Sequence, residues 1–210
     1  MVLSVLISAK TNNRFKIPNR EVMTDWARWV IGDEGSPENL LRICVEGPVN
    51  NFATLWPDFM QQQLDPKLVG KAPGATSRKT PERIYHAMFW GLMQSFRGEG
   101  GEVSLERRAG AGYIDVCLRH KRKHMGVLIE LKSSNNQGDM ERDVNKALDQ
   151  IVEKNYRNRF GLENIHILRE YGIASYHLNS RAKGRYLELV DNQWVERDDP
   201  MMNRNTNSNF

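Results

Sequence analysis

Apolar residues dominate two neighbouring stretches in the middle of the chain, residues 113–118 and 126–132, and a charged turn separates them. Short segments rich in β-branched and other apolar side chains are typical of strands, so we predict a β-hairpin. Side chains alternate between the two faces of a strand, which places Glu130 and Lys132 on one face. If Asp115 shares that face, two carboxylates and a lysine meet there.

Apolar positions recur at spacings of three and four in the first third of the chain and predict helices. Ser36 is suited to cap one of these helices, and Pro37 is suited to be its first residue. The helices form a small N-terminal helical module, residues 1–72, whose tryptophans are predicted core residues. The predicted helices cover residues 20–30, 38–45 and 49–64.

A second predicted domain, residues 73–197, begins with a segment rich in Gly, Pro, Ser and Thr that indicates a linker. Thr80 and Pro81 begin a helix that carries Glu82 in its first turn. A strand, the hairpin, a second helix and further strands follow. They are predicted at residues 102–106, 113–132, 143–160, 165–178 and 185–190. Residues 198–210 lack apolar periodicity and are predicted to be a disordered tail.

Composition narrows the class of protein only slightly. A hydrophobic fraction of 40% and a charged fraction of 27% are ordinary for a globular protein, and the net charge of +4 permits a polyanionic partner without requiring one. Cys44 and Cys117 lie far apart, which argues against a disulfide framework. The apolar N-terminal stretch is too short to span a membrane. We therefore expect a soluble intracellular protein, cytoplasmic or nuclear, with no membrane partner.

The two acids and the lysine of the hairpin have the chemistry that phosphodiester hydrolysis needs. Asp115 and Glu130 on adjacent strands can share a hard cation such as Mg²⁺, which prefers oxygen ligands. Such a cation lowers the pKa of a bound water and neutralises charge on a phosphate. Lys132 can orient that water or balance the developing charge. The pattern is short, however, and a buried ion-pair network is an alternative.

The order of helix, three strands, helix and strand, with Glu-Leu-Lys on the third strand, resembles the αβββαβ core of the PD-(D/E)XK nuclease superfamily. More narrowly, six segments resemble the nuclease-like domain found C-terminal to AAA-ATPase-like modules, including Crinkler-type fungal proteins. The resemblance extends over about residues 15–190. It implies a restriction-endonuclease-like α/β fold, with a central mixed sheet flanked by helices. The segments are residues 15–22, 81–86, 110–115, 129–132, 147–151 and 171–174.

The resemblance also implies a role for each residue of the hairpin. Asp115 and Glu130 are implied metal ligands for Mg²⁺ or Mn²⁺, with the carbonyl of Leu131 as a candidate third ligand. Lys132 is the implied catalytic lysine, and Glu82 is the implied acid of the first helix.

The second helix contributes Gln150, which matches a catalytic glutamine that many relatives carry after the Glu-x-Lys strand. Their tyrosine usually follows four residues later, but here that position is Lys154. Tyr156 comes six residues later, and at about 100° per residue of a continuous helix it is expected to point away from Gln150.

Five basic residues are candidates for contacts with nucleic-acid phosphates. Arg107 and Arg108 are expected to lie closer to the predicted site than the charged turn, which makes them the better candidates. Arg119 and Lys121 belong to the charged turn, for which a solvated hairpin tip is the ordinary interpretation. Lys146 lies one helical turn before the glutamine and is equally consistent with solvated surface.

The leading hypothesis is therefore a metal-dependent nuclease with DNA as its partner. A catalytically silent nucleic-acid-binding or regulatory module with the same fold is a competing hypothesis. The resemblance also implies an ATPase module as a partner, yet no nucleotide-binding loop is present in these residues. The start of the chain is compatible with a fragment of a larger protein.

Overall fold

The structure is a computed structural model. It describes residues 37–64, 85–86, 89, 91–92, 101–109, 112–161 and 164–201. Only the backbone is described for residues 101, 103–109, 159 and 161. The helix predicted at residues 20–30, with its two tryptophans, lies outside the described residues.

Six strands form one mixed sheet in the order β1-β2-β3-β4-β5-β6. Neighbouring strands are antiparallel, except that β3 and β4 run parallel. The predicted hairpin is β2–β3, with Val116 opposite Ile129. The strands are β1 (Gly101–Ala109), β2 (Gly112–His120), β3 (Met125–Ser133), β4 (Ile167–Tyr176), β5 (Asn179–Val190) and β6 (Gln193–Arg197).

Helices cover both faces of this sheet. Residues 85, 86, 89, 91 and 92 are helical and belong to the helix predicted from Thr80. The predicted fold class, a central mixed sheet flanked by helices, is confirmed. The other helices are α1 (Pro37–Glu46), α2 (Val49–Gln63), α3 (Met140–Glu153) and α4 (Asn158–Gly161).

The alternation of apolar residues along β3 divides the core between the two faces. Val127 and Ile129 share one hydrophobic cluster with Phe52 and Trp56 of α2. Leu128 points to the opposite face and belongs to the cluster that contains residues of α3. The site residues on β3, which have even numbers like Leu128, therefore lie on the α3 face.

Two glycines allow helices to lie close to the sheet. A Cβ on Gly172 of β4 would be 2.5 Å from the carbonyl oxygen of Val144 in α3. A Cβ on Gly184 of β5 would be 2.8 Å from the Cβ of Val49 in α2. Larger residues at these positions would push α2 and α3 away from the strands.

Strand β5 starts earlier than predicted, at Asn179 rather than at residue 185, and β6 was not predicted. The first half of β5 alternates exposed Arg181 and Lys183 with small residues that face α2. Small residues carry little hydrophobic signal, so the local pattern does not indicate a strand there.

The first residues of the predicted disordered tail are packed. Asp199 is buried, and its carboxylate accepts hydrogen bonds of 3.0 Å from the backbone N–H groups of Val49 and Met201. It also lies 3.8 Å from the guanidinium of buried Arg169. The prediction therefore fails over this segment, because a buried carboxylate and not apolar periodicity anchors it. Residues 202–210 lie outside the described residues.

Helices α1 and α2 belong to the predicted N-terminal module, yet they share one hydrophobic core with the sheet. The boundary at residue 72 stays a prediction, because residues 65–84 lie outside the described part of the chain. Within the described residues, no helix combines the length and the apolar character that a membrane crossing requires.

Candidate active site

Asp115 lies on β2 at the point where the hydrogen-bonded ladder to β3 ends. The last paired residues of the two strands are Val116 and Ile129. Beyond this pair, Asp115 Oδ2 accepts a hydrogen bond of 2.7 Å from the backbone N–H of Leu131. The carboxylate replaces a backbone acceptor and is thereby held at the opening between the strands. Its side chain is 16% exposed, and the other carboxylate oxygen, Oδ1, lies 3.4 Å from Nε2 of His86.

Glu130 lies opposite Asp115 when the register of the hairpin is continued by one residue. Its side chain is only 3% exposed. Burial, and then the neighbouring Asp115 carboxylate, raise the pKa of Glu130 from 4.5 to about 7, while Lys132 lowers it. Glu130 Oε2 is buried and has no hydrogen-bond partner among the described residues. A proton or a cation would satisfy this oxygen.

Lys132 projects from β3 on the same side as Glu130, as the strand alternation predicts. Its ammonium donates hydrogen bonds to Glu130 Oε1 at 3.0 Å and to Gln150 Oε1 at 2.6 Å. The amide of Gln150 in turn donates to Glu130 Oε1. The three side chains form a closed triangle, which fixes the lysine beside the carboxylate.

One known family matches the part of the chain that carries these residues. Residues 80–181 match the PD-(D/E)XK nuclease superfamily, and the matched range contains both acids, the lysine and the glutamine. Residues 80–181 belong to the PD-(D/E)XK nuclease superfamily. Members of this superfamily are generally nuclease hydrolases and typically use divalent metals. No curated protein and no solved structure gives a significant match to the chain.

Tyr156 joins this cluster of side chains, although a continuous helix would have pointed it away from Gln150. Helix α3 ends at Glu153, and Asn155 has a left-handed φ of 57°. The chain therefore turns back, and the Tyr156 hydroxyl donates a hydrogen bond of 2.8 Å to the Tyr113 carbonyl. It also interacts with Gln150, and burial raises the pKa of the phenol. The expectation that Tyr156 points away from Gln150 is wrong, because the predicted helix at residues 143–160 is interrupted.

The Tyr156 hydroxyl can approach β2 because position 112 is a glycine. A Cβ at this position would lie 2.9 Å from the Tyr156 hydroxyl. The absence of a side chain at position 112 therefore leaves room for the hydroxyl beside β2.

His86 is a site residue that the sequence patterns did not single out. Its Nε2 lies 3.4 Å from Asp115 Oδ1, and its side chain is 18% exposed. His86 comes four residues after Glu82, so both are predicted to project from the same face of the helix. That spacing is the signal that could have identified it. Glu82 itself lies outside the described residues, and its role as the helix acid stays a prediction.

The donor set suits a hard divalent cation. Asp115 and Glu130 supply carboxylate oxygens, and the unpartnered Glu130 Oε2 is a buried oxygen that a cation would satisfy. Among the described residues, no group of three or more His, Cys, Asp or Glu side chains could hold a metal ion. Two protein carboxylates are nonetheless sufficient for Mg²⁺, which usually keeps several waters and binds substrate phosphates. The roles of both acids and of the Leu131 carbonyl as ligands stay predictions.

The structure separates the predicted phosphate-binding residues. The backbones of Arg107 and Arg108 lie on β1, opposite Ile114 and Tyr113, and so beside Asp115. Lys146 lies on α3, one turn before Gln150; its side chain is 60% exposed and 3.7 Å from Asp143.

The charged turn lies at the other end of the hairpin. Arg119 is about 13 Å along β2 from Asp115, and Lys121 is farther. The Arg119 side chain is only 8% exposed and pairs with Glu102 at 3.2 Å, and the exposed Lys121 pairs with Glu102 at 2.6 Å. The structure does not bring these two residues to the site, and the burial of Arg119 argues against its predicted nucleic-acid contact.

Proposed function

We propose that this protein is a divalent-metal-dependent nuclease that hydrolyses phosphodiester bonds in DNA, with Mg²⁺ or Mn²⁺ as its metal. The observation that carries the proposal is the convergence of Asp115, Glu130 and Lys132 at the opening between β2 and β3. Membership of the PD-(D/E)XK superfamily supports the reaction class. The proposed substrate is DNA rather than RNA.

In this mechanism the carboxylates of Asp115 and Glu130 would hold the cation, and the Leu131 carbonyl would be a candidate third ligand. When bound, the cation would lower the pKa of a water and neutralise charge on the phosphate. The backbone N–H of Leu131 fixes the Asp115 carboxylate by donating to Oδ2. Oδ1 takes no part in that bond and lies 3.4 Å from His86 Nε2.

Lys132 would orient the attacking water and stabilise the negative charge that develops on the phosphate. Gln150 holds the ammonium 2.6 Å from its side-chain oxygen and so limits the positions that the lysine can adopt. The Tyr156 hydroxyl interacts with the Gln150 side chain. Because each of these groups is already hydrogen-bonded, little reorganisation is needed when the substrate binds.

The decisive test is a cleavage assay with the full chain and end-labelled single- and double-stranded DNA. We expect cleavage in Mg²⁺ or Mn²⁺ and none in excess EDTA. A catalytically silent module is the second candidate, because the Glu130–Lys132–Gln150 triangle is satisfied without a metal. Titration calorimetry with Mn²⁺ separates the two. Failure to cleave any DNA, together with no Mn²⁺ binding that depends on Asp115, would refute the proposed nuclease.

A prediction concerns His86, which lies against Asp115. We expect His86→Ala to lower metal affinity or the cleavage rate by about 10- to 100-fold, the usual loss when a side chain that orients a metal ligand is removed. Metal titrations of the cleavage rate measure the change. His166→Ala is the matched control, because His166 is exposed and precedes β4 at the other end of β3. Equal metal dependence in the two variants would exclude a role for His86.

A further inference from the structure

Tyr113 is the one aromatic residue among the large hydrophobic side chains that are exposed in the described part of the chain. Its side chain is 64% exposed, and the other two members of this set are Val152 and Val190. Isolated exposed hydrophobic residues are common on protein surfaces and need no explanation by themselves. The position of Tyr113 distinguishes it, because it precedes the proposed ligand Asp115 by two residues on β2.

Two residues along a strand correspond to about 7 Å and return to the same face. Gly112 and Ile114 face Tyr156 and the α3 side of the sheet. The Tyr113 ring therefore projects from the opposite side, on which the helix of His86 packs and contacts Asp115. The backbone of Tyr113 is held in place, since its carbonyl accepts the 2.8 Å hydrogen bond from the Tyr156 hydroxyl. The neighbouring strand places Arg108 opposite Tyr113 in the register. The aromatic ring is thus anchored through its backbone to the site and remains open to solvent.

We infer that the Tyr113 ring stacks on an unpaired base of the substrate, next to the phosphate held at Asp115 and Glu130. The inference rests on the proposed function for the identity of the ligand, and it narrows the substrate to single-stranded or unpaired nucleic acid. Every base has an apolar face, so an exposed aromatic ring binds bases without sequence preference. In a duplex both faces of a base are covered by its neighbours, and exposing one costs free energy.

Equilibrium binding tests this contact without requiring cleavage. Fluorescein-labelled single strands of one sequence, made as DNA and as RNA, are titrated with the full chain in EDTA and followed by anisotropy. We expect Tyr113→Ala to weaken binding of the single strand by about 5- to 100-fold, the effect of losing one aromatic–base stack. Tyr113→Phe keeps the ring and is expected to bind as wild type. The nucleic acid, DNA or RNA, for which Tyr113→Ala loses more affinity is the one whose base stacks on the ring.

Two controls separate stacking from other effects. Val190→Ala removes an exposed hydrophobic side chain that is distant from the site and should leave binding unchanged. A strand with a single abasic position should bind wild type more weakly than the intact strand, whereas Tyr113→Ala should not distinguish the two strands. This pair of comparisons forms a double-mutant cycle between the ring and the base.

The cleavage and binding measurements can fail independently, so they test the stacking inference and the proposed nuclease separately. If wild type cleaves DNA and Tyr113→Ala binds single strands as tightly as wild type, the stacking inference is wrong and the nuclease stands. If Tyr113→Ala loses affinity for single strands but no metal supports cleavage, the stacking contact stands and the nuclease does not. Equal losses for single strands and for the matching duplex would also overturn stacking on an unpaired base.

Discussion

Lys132→Ala is expected to reduce metal-dependent DNA cleavage by about 100- to 1,000-fold, the loss that follows removal of one preorganised group that stabilises transition-state charge. The ammonium lies 3.0 Å from Glu130 Oε1 and 2.6 Å from Gln150 Oε1, so its position is determined before substrate binds. Truncation removes the only charge of the triangle that can oppose charge on the phosphate. Single-turnover cleavage rates at saturating metal measure the effect.

Lys183→Ala is the matched control, because Lys183 is an exposed lysine on β5 that pairs with Glu141 and is not among the predicted nucleic-acid contacts. This control variant should retain most of the wild-type cleavage rate. Thermal unfolding must show that the Lys132→Ala protein is folded, and Mn²⁺ calorimetry should show that it still binds metal, because Asp115 and Glu130 are unchanged. If the folded variant cleaves DNA at the wild-type rate, Lys132 belongs to a structural network and not to the reaction.

The metal-free protein is expected to lose stability as the pH rises from 4.5 to about 7. The folded-state pKa of Glu130 is raised from 4.5 to about 7, so between these values the folded state holds a proton that the unfolded state has released. The free energy of unfolding therefore falls with increasing pH across this window, by up to about 3 kcal/mol. Below the lower value, both states are protonated and the contribution is constant.

Urea unfolding in EDTA at several pH values measures this effect, with Glu130→Gln as the comparison. The variant removes the titrating group, so the difference between the two proteins isolates Glu130 from the histidines that titrate in the same range. Addition of Mg²⁺ should stabilise the wild type more at pH 8 than at pH 6, because the cation binds the ionised carboxylate. Identical pH dependence in wild type and Glu130→Gln would show that the glutamate ionises normally.

The pattern of apolar and polar residues correctly predicted those elements whose contacts are between residues close together in the sequence. The alternation along residues 113–118 and 126–132 predicted the hairpin, which is observed as β2–β3 with Val116 opposite Ile129. Pro37 begins α1 because a proline lacks the N–H that the first turn of a helix leaves unpaired. The ordered agreement of six segments, more than any single motif, predicted the superfamily.

Other features depend on residues that are distant in sequence. Tyr156 reaches Gln150 only because α3 stops at Glu153, and the pattern of apolar residues continues past that point. His86 meets Asp115 across the space between a helix and the sheet. Asp199 anchors the last described segment to the start of α2 through a buried hydrogen bond, for which apolar periodicity gives no signal.

The sequence by itself predicted the hairpin, the helices around it, the superfamily of residues 80–181 and a candidate site of two acids, a lysine and a glutamine. These follow from periodicity and from the order of short segments, both of which are properties of the chain alone. Only the tertiary structure decided which carboxylate is buried with a raised pKa, which tyrosine supports the glutamine and which basic residues lie away from the site. Burial, charge proximity and the exact end of a helix depend on the packing of distant elements, and local sequence does not specify that packing.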